Sequence, residues 1–167
     1  VTAGGPPYVA GKPENAAMRD AISAAVKDAM KAGDKPRLET LRMVSAAIKN
    51  ADIAARGEGK DPPNDDALMS LLQKLIKQRQ ESADLYDKGG RAELAAKERG
   101  EIAIIGGFLP EQIAETEMEG AIADIIEELG ATGPKDMGKV MAALKAAYAG
   151  RMDFSRASVA VKKVLGG

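Results

Sequence analysis

The string that comes closest to a chemical motif is Gly133-Pro134-Lys135-Asp136-Met137-Gly138-Lys139, which fits the G-x-x-x-x-G-K half of a phosphate-binding loop. Such a loop works because strand–turn–helix geometry makes backbone N–H groups converge on phosphate, while a following Ser or Thr holds magnesium. Here Val140 stands at the Ser/Thr position, and the preceding residues read as an acidic helix, not a strand. Nucleotide binding at this loop is therefore not expected. Three serine–lysine pairs, Ser45/Lys49, Ser70/Lys74 and Ser158/Lys162, are spaced by one helical turn, as a lysine-activated serine would require. Amphipathic helices produce that spacing freely, and nothing around these pairs suggests a pocket that would lower a lysine pKa. The absence of both His and Cys removes the commonest acid–base group, thiolate chemistry, disulfides and Cys-based metal sites. The carboxylates between 111 and 128 alternate along one helix and read as a solvated face, not a metal set. No catalytic residue, metal or cofactor is expected.

The cations offer more. Lys74, Lys77 and Gln78 share one side of a helix opposite Leu72, Leu75 and Ile76, which reads as a polar face. Net charge is −1, so there is no global case for nucleic acid, but the charge is unevenly placed. Residues 18–110 carry 16 basic and 15 acidic side chains, residues 111–129 seven acidic and no basic, and residues 130–167 seven basic and two acidic. In the last segment Lys135, Lys139, Lys145, Arg151, Arg156, Lys162 and Lys163 are dense enough to form a patch. Lysines and arginines bind a phosphate backbone mainly by releasing counterions, without reading sequence. Only Tyr148 and Phe154 lie nearby as aromatics, and Phe154 reads as core, so recognition of single strands by stacking is disfavoured. Contact with the shape and phosphates of folded RNA remains open.

The elements that must position these groups are helices. Hydrophobic residues make up 45% of the 167, but there are only three Tyr, two Phe and no Trp. The apolar content is Ala, Leu, Ile and Met, which favour helix over pleated sheet. Residues 1–17 are Gly/Pro-rich without an apolar period and read as a disordered leader or expression remnant, with Met18 as the natural start. Seven helices are predicted from there. The first carries Met18, Ile22, Val26 and Ala29/Met30 and stops at Gly33. The second is capped by Asp34, has Pro36 in its first turn, and runs to about Ala55. A loop through Pro62-Pro63 leads to a third, capped by Asn64 or Asp65, that ends at Lys88-Gly89-Gly90. The fourth covers about Ala92–Phe108 and carries Leu94, Ile102, Ile104 and Ile105. Leu109-Pro110 breaks the pattern and marks a subdomain boundary. A capping box at Thr116-Glu117-Met118-Glu119 opens the fifth, with Met118, Ile122, Ile125/Ile126 and Leu129 inward and Gly130 as its stop. The sixth spans about Lys135–Tyr148, and Asp153 caps the seventh, with Phe154, Ala157/Ser158, Val161 and Val164/Leu165 inward. The expected architecture is all-α: an N-terminal helical bundle at 18–108 and a smaller three-helix subdomain at 111–167. No stretch approaches the roughly 20 apolar residues that span a bilayer, and the N-terminus lacks the apolar core of a signal peptide, so the expected location is the cytoplasm.

Several runs, in order, bring a family into view: Leu38-Glu39-Thr40-Leu41-Arg42, Leu71-Leu72-Gln73-Lys74-Leu75-Ile76-Lys77-Gln78-Arg79, Lys88-Gly89-Gly90-Arg91, Phe108-Leu109-Pro110, Asp136 to Lys145, and Tyr148 to Asp153 before the last helix. Residues 18–167 resemble the YqeY proteins, small stand-alone bacterial proteins that are similar to the C-terminal tail domain of GatB. GatB is a subunit of the glutamine-dependent amidotransferase that corrects mischarged Glu-tRNA(Gln) or Asp-tRNA(Asn), and its helical tail helps engage tRNA. The resemblance implies association with tRNA-dependent amidation without a catalytic centre in this chain; carbon–nitrogen ligase activity with glutamine as amide donor would belong to a complex. Carried over to Gly138-Lys139-Val140-Met141 and Gly150-Arg151, it makes Gly138 a point of close helix approach and puts Val140, Met141 and Leu144 in the core. Lys139 and Arg151 are left for phosphate. Ala142 stands where many relatives carry Gly, which should matter only to packing.

The expectation is a non-catalytic, tRNA-binding accessory whose phosphate contacts come from Lys135, Lys139, Lys145, Arg151, Lys162 and Lys163. The alternative is a protein-interaction module that docks on the amidotransferase or an aminoacyl-tRNA synthetase through the acidic helix at 111–129.

Overall fold

A computed structural model describes residues 17–166, and the expected leader lies outside them except for Ala17, which opens the first helix. Among the described residues there are seven α-helices and no strand. They are α1 (Ala17–Ala32), α2 (Lys35–Gly57), α3 (Asp65–Lys88), α4 (Ala92–Gly106), α5 (Glu115–Leu129), α6 (Met137–Ala147) and α7 (Phe154–Val164), with a 3-10 turn at Pro134–Asp136 before α6. Packing divides them into two units, one ending at Pro110 and the other beginning at Glu111.

In the first unit, α1 and α2 form one antiparallel hairpin and α3 and α4 another. At the α1–α2 turn Gly33 sits at φ 68°, a left-handed conformation that glycine adopts without steric cost. That lets the Asp34 N–H reach back to the Ala29 carbonyl at 3.0 Å and close the end of α1. Asp34 then caps α2 by accepting from the Arg37 N–H at 3.2 Å, and Asn64 caps α3 by accepting from the Ala67 N–H at 2.9 Å. Met18, Ile22, Leu41, Val44, Ile48, Leu68, Leu72 and Ile105 fill the core between the hairpins. The α3–α4 hairpin is registered by Arg79, half-buried, which reaches Glu101 at 2.9 Å and the Leu75 carbonyl at 3.0 Å. Across α1 and α2, Arg19 grips Asp52 with its two terminal guanidinium nitrogens, at 2.9 and 2.8 Å, and also meets the Pro63 carbonyl at 3.1 Å. That guanidinium holds the Asp52 carboxyl below the usual carboxylate range.

Asp65 has a different role from the one its position suggests. With Asn64 as the cap, Asp65 turns inward and is 7% exposed. Its Oδ1 is buried without a hydrogen-bond partner, and the backbone N–H of Met18, at the start of α1, is close enough to favour the charged form. Burial pushes its pKa up, against the opposing pull of that N–H and of Arg19.

The second unit packs α5, α6 and α7 around Met118, Ile122, Ile125, Val140, Leu144, Met152, Ala157, Val161 and Leu165. Three sequence expectations are corrected. Helix α4 ends at Gly106, not Phe108, and its inward residues are Ala95 and Ile105, leaving Leu94 37% exposed. A helix hydrophobic on most sides gives periodicity little to choose between. Helix α5 begins at Glu115, two residues earlier than the Thr116 box implies. Ala114 stands at the cap with no side-chain oxygen, and only the returning half of a box exists, Glu117 accepting from the Ala114 N–H at 3.2 Å. Helix α6 starts at Met137, because Pro134–Asp136 forms the tighter 3-10 turn.

Candidate nucleic-acid interface

The residues expected to meet phosphate sit on three elements of the second unit. Lys135 lies in the 3-10 turn, Lys139 and Lys145 on α6, Lys162 and Lys163 on α7, and Arg151 in the connection between α6 and α7. All five lysines are exposed. Among the described residues none of the five forms an ion pair. Arg156, also exposed, is tied to Glu115 at 3.1 Å.

The helices fix these positions through their buried stripes. Val140 and Leu144 are fully buried on α6, as are Ala157 and Val161 on α7. At about 100° of rotation per residue, Lys139 and Lys145 stand about 120° apart on opposite flanks of the α6 stripe, and Lys162 and Lys163 about 100° apart on α7. Within each helix, therefore, the two lysines point in different directions.

Arg151 is held inside the unit. Its Nε donates to the Glu111 carbonyl at 2.9 Å, and its guanidinium lies over the Tyr148 ring, 5.4 Å from the centroid. Its backbone carbonyl accepts from the Ile113 N–H at 2.8 Å, and the Gly150 carbonyl accepts from the Gln112 amide. Gly150 makes this possible by adopting φ 72° at a buried position. The segment before α5 is thus pinned to the turn before α7 by a clamp that no local pattern announces, since its partners are about forty residues apart.

The loop at 133–139 has the geometry of a capped helix start. No strand precedes it, Gly133 is extended, and Gly138 lies within α6. The Thr132 and Gly133 N–H groups, which a phosphate would need, both point at Oδ2 of Asp136, at 3.0 and 3.4 Å. Those bonds, the Thr132 one first, together with Lys139 and Lys135, hold the Asp136 carboxyl below its ordinary range. The close helix approach expected at Gly138 is corrected: the residue is exposed, and a Cβ there would meet nothing within 4 Å. Ala142 is exposed as well. Of the serine–lysine pairs, Ser45 and Lys49 line a groove of about 320 Å³ between α1 and α2, shared with Arg19 and Asp52. Ser45, Lys49, Ser70, Lys74 and Lys162 are all exposed. Among the described residues no group of three or more His, Cys, Asp or Glu could hold a metal, and no helix is long and apolar enough to cross a membrane.

An all-α chain of two helical units, with acidic α5 beside lysine-bearing α6 and α7, is the class of protein that this structure defines. The family model described as Yqey-like protein matches residues 19–165, and the chain belongs to that family. It is similar to fungal proteins named altered inheritance of mitochondria protein 41, mitochondrial. The one from Pyrenophora tritici-repentis is 31% identical over 157 residues, covering 92% of this chain and 83% of the relative. Those from Lachancea thermotolerans and Eremothecium gossypii are 34% and 37% identical, over 65% and 70% of this chain. This chain spans 58% and 64% of their lengths, less than two thirds of either. These relatives are named mitochondrial and come from fungi, so they lend no support to the bacterial setting or cytoplasmic location expected from the sequence.

Proposed function

We propose that this protein is a non-catalytic RNA-binding accessory, with tRNA as the RNA and tRNA-dependent amidation as its setting, and that Lys135, Lys139, Lys145, Lys162 and Lys163 contact the phosphates. The observation that carries this reading is that all five lysines are exposed and free of ion pairs among the described residues. A lysine that already neutralises a carboxylate releases no counterion when phosphate replaces that partner, whereas an unpaired one does. Arg151 leaves the contact set and becomes a positioning residue, because its guanidinium is committed to Glu111 and Tyr148.

The test is binding of the full chain to total tRNA across a salt series. Replacing Lys139, Lys162 and Lys163 together by Gln is expected to weaken binding and to flatten the log–log salt slope by up to about 0.9 per lysine. A triple variant that binds with wild-type affinity and slope would show that the phosphate contacts lie elsewhere. A second reading, a docking module for an amidotransferase or synthetase subunit, draws on α5, where Asp124, Glu127 and Glu128 stand exposed beside Leu129, 47% exposed. A protein partner whose capture survives nuclease treatment and is lost in E127K/E128K would favour it.

A further inference from the structure

We propose that the Asp65 carboxylate is the seat of an N-terminal α-ammonium group, that of Met18 in a form of the chain that starts at this residue. The site lies in the first helical unit and is independent of the phosphate contacts proposed above.

Nothing in the fold of α3 requires a buried carboxylate at position 65. Asn64 already caps that helix through the Ala67 N–H at 2.9 Å, and Asp66, exposed, places negative charge in its first turn. Asp65 nevertheless faces inward, is 7% exposed, and its Oδ1 has no hydrogen-bond partner among the described residues. A buried anionic oxygen in that state is costly, because nothing replaces the water bonds that it gave up. The charged neighbours do not make up the deficit. Asp20 on α1 and Asp66 on α3 are like charges, and Arg19 has both terminal nitrogens on Asp52 and one of them also on the Pro63 carbonyl. Among the described residues no group of three or more metal-ligating side chains forms here. The counter-charge that suits this corner is an ammonium.

The start of α1 brings a nitrogen to that place. Arg19 bonds the Pro63 carbonyl at 3.1 Å, which ties the first turn of α1 to the residues that enter α3. One residue earlier, the Met18 backbone nitrogen comes close enough to Asp65 to favour its charged form. The Met18 side chain is fully buried in the face that α1 packs against α2 and α3, so core packing fixes that nitrogen in position. As an amide it offers one proton, whose direction the helix sets. As an α-amino group the same nitrogen carries three protons and a full positive charge, and can turn one of them to an oxygen that the amide proton leaves unbonded. An ammonium at a helix N-terminus opposes the helix dipole, and Asp65, together with Asp20 in the first turn of α1, offsets that.

Pairing acts on both groups. The carboxylate raises the pKa of the amine, and the ammonium lowers that of Asp65. For an amine whose folded-state pKa is raised, the stabilisation is fully present below the ordinary value of about 7.7–8.0 and is lost as pH rises through the raised one. A chain with residues ahead of Met18 has no charge on this nitrogen and leaves Asp65 uncompensated.

The experiment compares the 167-residue chain with a chain begun at Met18, which keeps all seven helices and loses only Ala17 from α1. Each is made with Asp65 and with Asp65→Asn, and mass spectrometry verifies the free Met18 amine. Urea unfolding at pH 7 is expected to give the shorter chain the higher midpoint. Asp65→Asn is expected to raise the midpoint of the longer chain, by removing an unpaired charge, and to lower that of the shorter one, by stranding its ammonium. Acetylating the α-amine of the shorter chain removes the positive charge with Asp65 in place, and is expected to lower its midpoint too. An NMR titration of the Met18 amine should place its pKa at least about one unit, or tenfold in proton affinity, above the ordinary value. The advantage of the shorter chain should shrink by about pH 10. An amine that titrates at its ordinary value, acetylation without effect, Asp65→Asn acting in the same direction in both chains, or a shorter chain that is no more stable or does not fold would each overturn the proposal.

Discussion

Replacing Arg151 by alanine separates two roles that the sequence alone leaves superimposed. The guanidinium makes one charge-assisted hydrogen bond, to the Glu111 carbonyl at 2.9 Å, and one cation–π contact, with Tyr148 at 5.4 Å. A charge-assisted bond near the surface contributes about 1 kcal/mol net after water competes for both groups, and an exposed cation–π contact about 0.5–1 kcal/mol. Solvent recovers part of each, so Arg151→Ala is expected to cost the C-terminal unit about 1–1.5 kcal/mol. For a domain of about 60–100 residues, 1 kcal/mol moves the melting temperature by about 4–8 °C, so a fall of roughly 4–12 °C follows. Differential scanning calorimetry measures it. RNA affinity, taken by anisotropy well below the transition, is expected to stay within about twofold of wild type. Arg151→Lys is the informative control, because lysine keeps the charge but loses the planar fork that lies on the ring while its Nε points elsewhere. It should lose most of the same stability. Wild-type melting in Arg151→Ala, combined with a loss of affinity like that of a lysine substitution, would refute the reasoning and return Arg151 to the phosphate contacts.

Two further expectations concern the cores. The Asp65 carboxyl is raised above its ordinary pKa by burial, so between that ordinary value and the raised one the folded state binds more protons than the unfolded state. Stability from this group is then greatest below the ordinary value and falls as pH rises through the raised one. Asp65→Asn keeps the shape of the side chain without the buried charge; urea unfolding should find it more stable than wild type at pH 7, with the gain shrinking towards pH 4. Equal effects at both pH values would mean that Asp65 is solvated. Leu144→Ala removes a fully buried side chain from the C-terminal core and is expected to cost about 2–5 kcal/mol, whereas Val159→Ala, on the exposed face of α7, should stay within about 0.5 kcal/mol; equal urea midpoints for the two would contradict the assigned packing.

The helices were legible wherever the signal is local. Asp34 and Asn64 cap through bonds to residues three positions away, and Gly33, Gly130 and Gly150 take positive φ next to the helix ends they terminate. Amphipathic stripes such as Met118-Ile122-Ile125 and Ala157-Val161 needed only the 3.6-residue period. Reading failed where a stronger competitor sat nearby or where no contrast existed. Thr116 looks like the better cap for α5, yet the helix starts at Glu115 because Glu117 can satisfy the Ala114 N–H from within the first turn. In α4 the apolar residues surround the helix, so the choice between Leu94 and Ala95 belongs to the facing helices.

The surface chemistry follows the same division. That α5 is acidic and the following segment basic needs nothing beyond counting, but counting treats every cation alike. Seven basic residues between 130 and 167 become, once folded, five exposed lysines without ion pairs among the described residues, one arginine bridged to Glu115 and one locked over Tyr148. The difference arises from partners 40 residues away, Glu111 for Arg151 and Glu115 for Arg156 at a similar distance along the chain. Arginine is the residue drawn into these contacts because its fork can hold a carbonyl and a ring together, and lysine, a hydrated point charge on a flexible stem, is left outside. The two arginines thereby hold the segment at the start of α5, and the lysines on the elements after it stay exposed. Tying down Arg151 also covers one face of the Tyr148 ring, so the division between the arginines and the lysines sets how that ring is packed as well as which cations stay exposed.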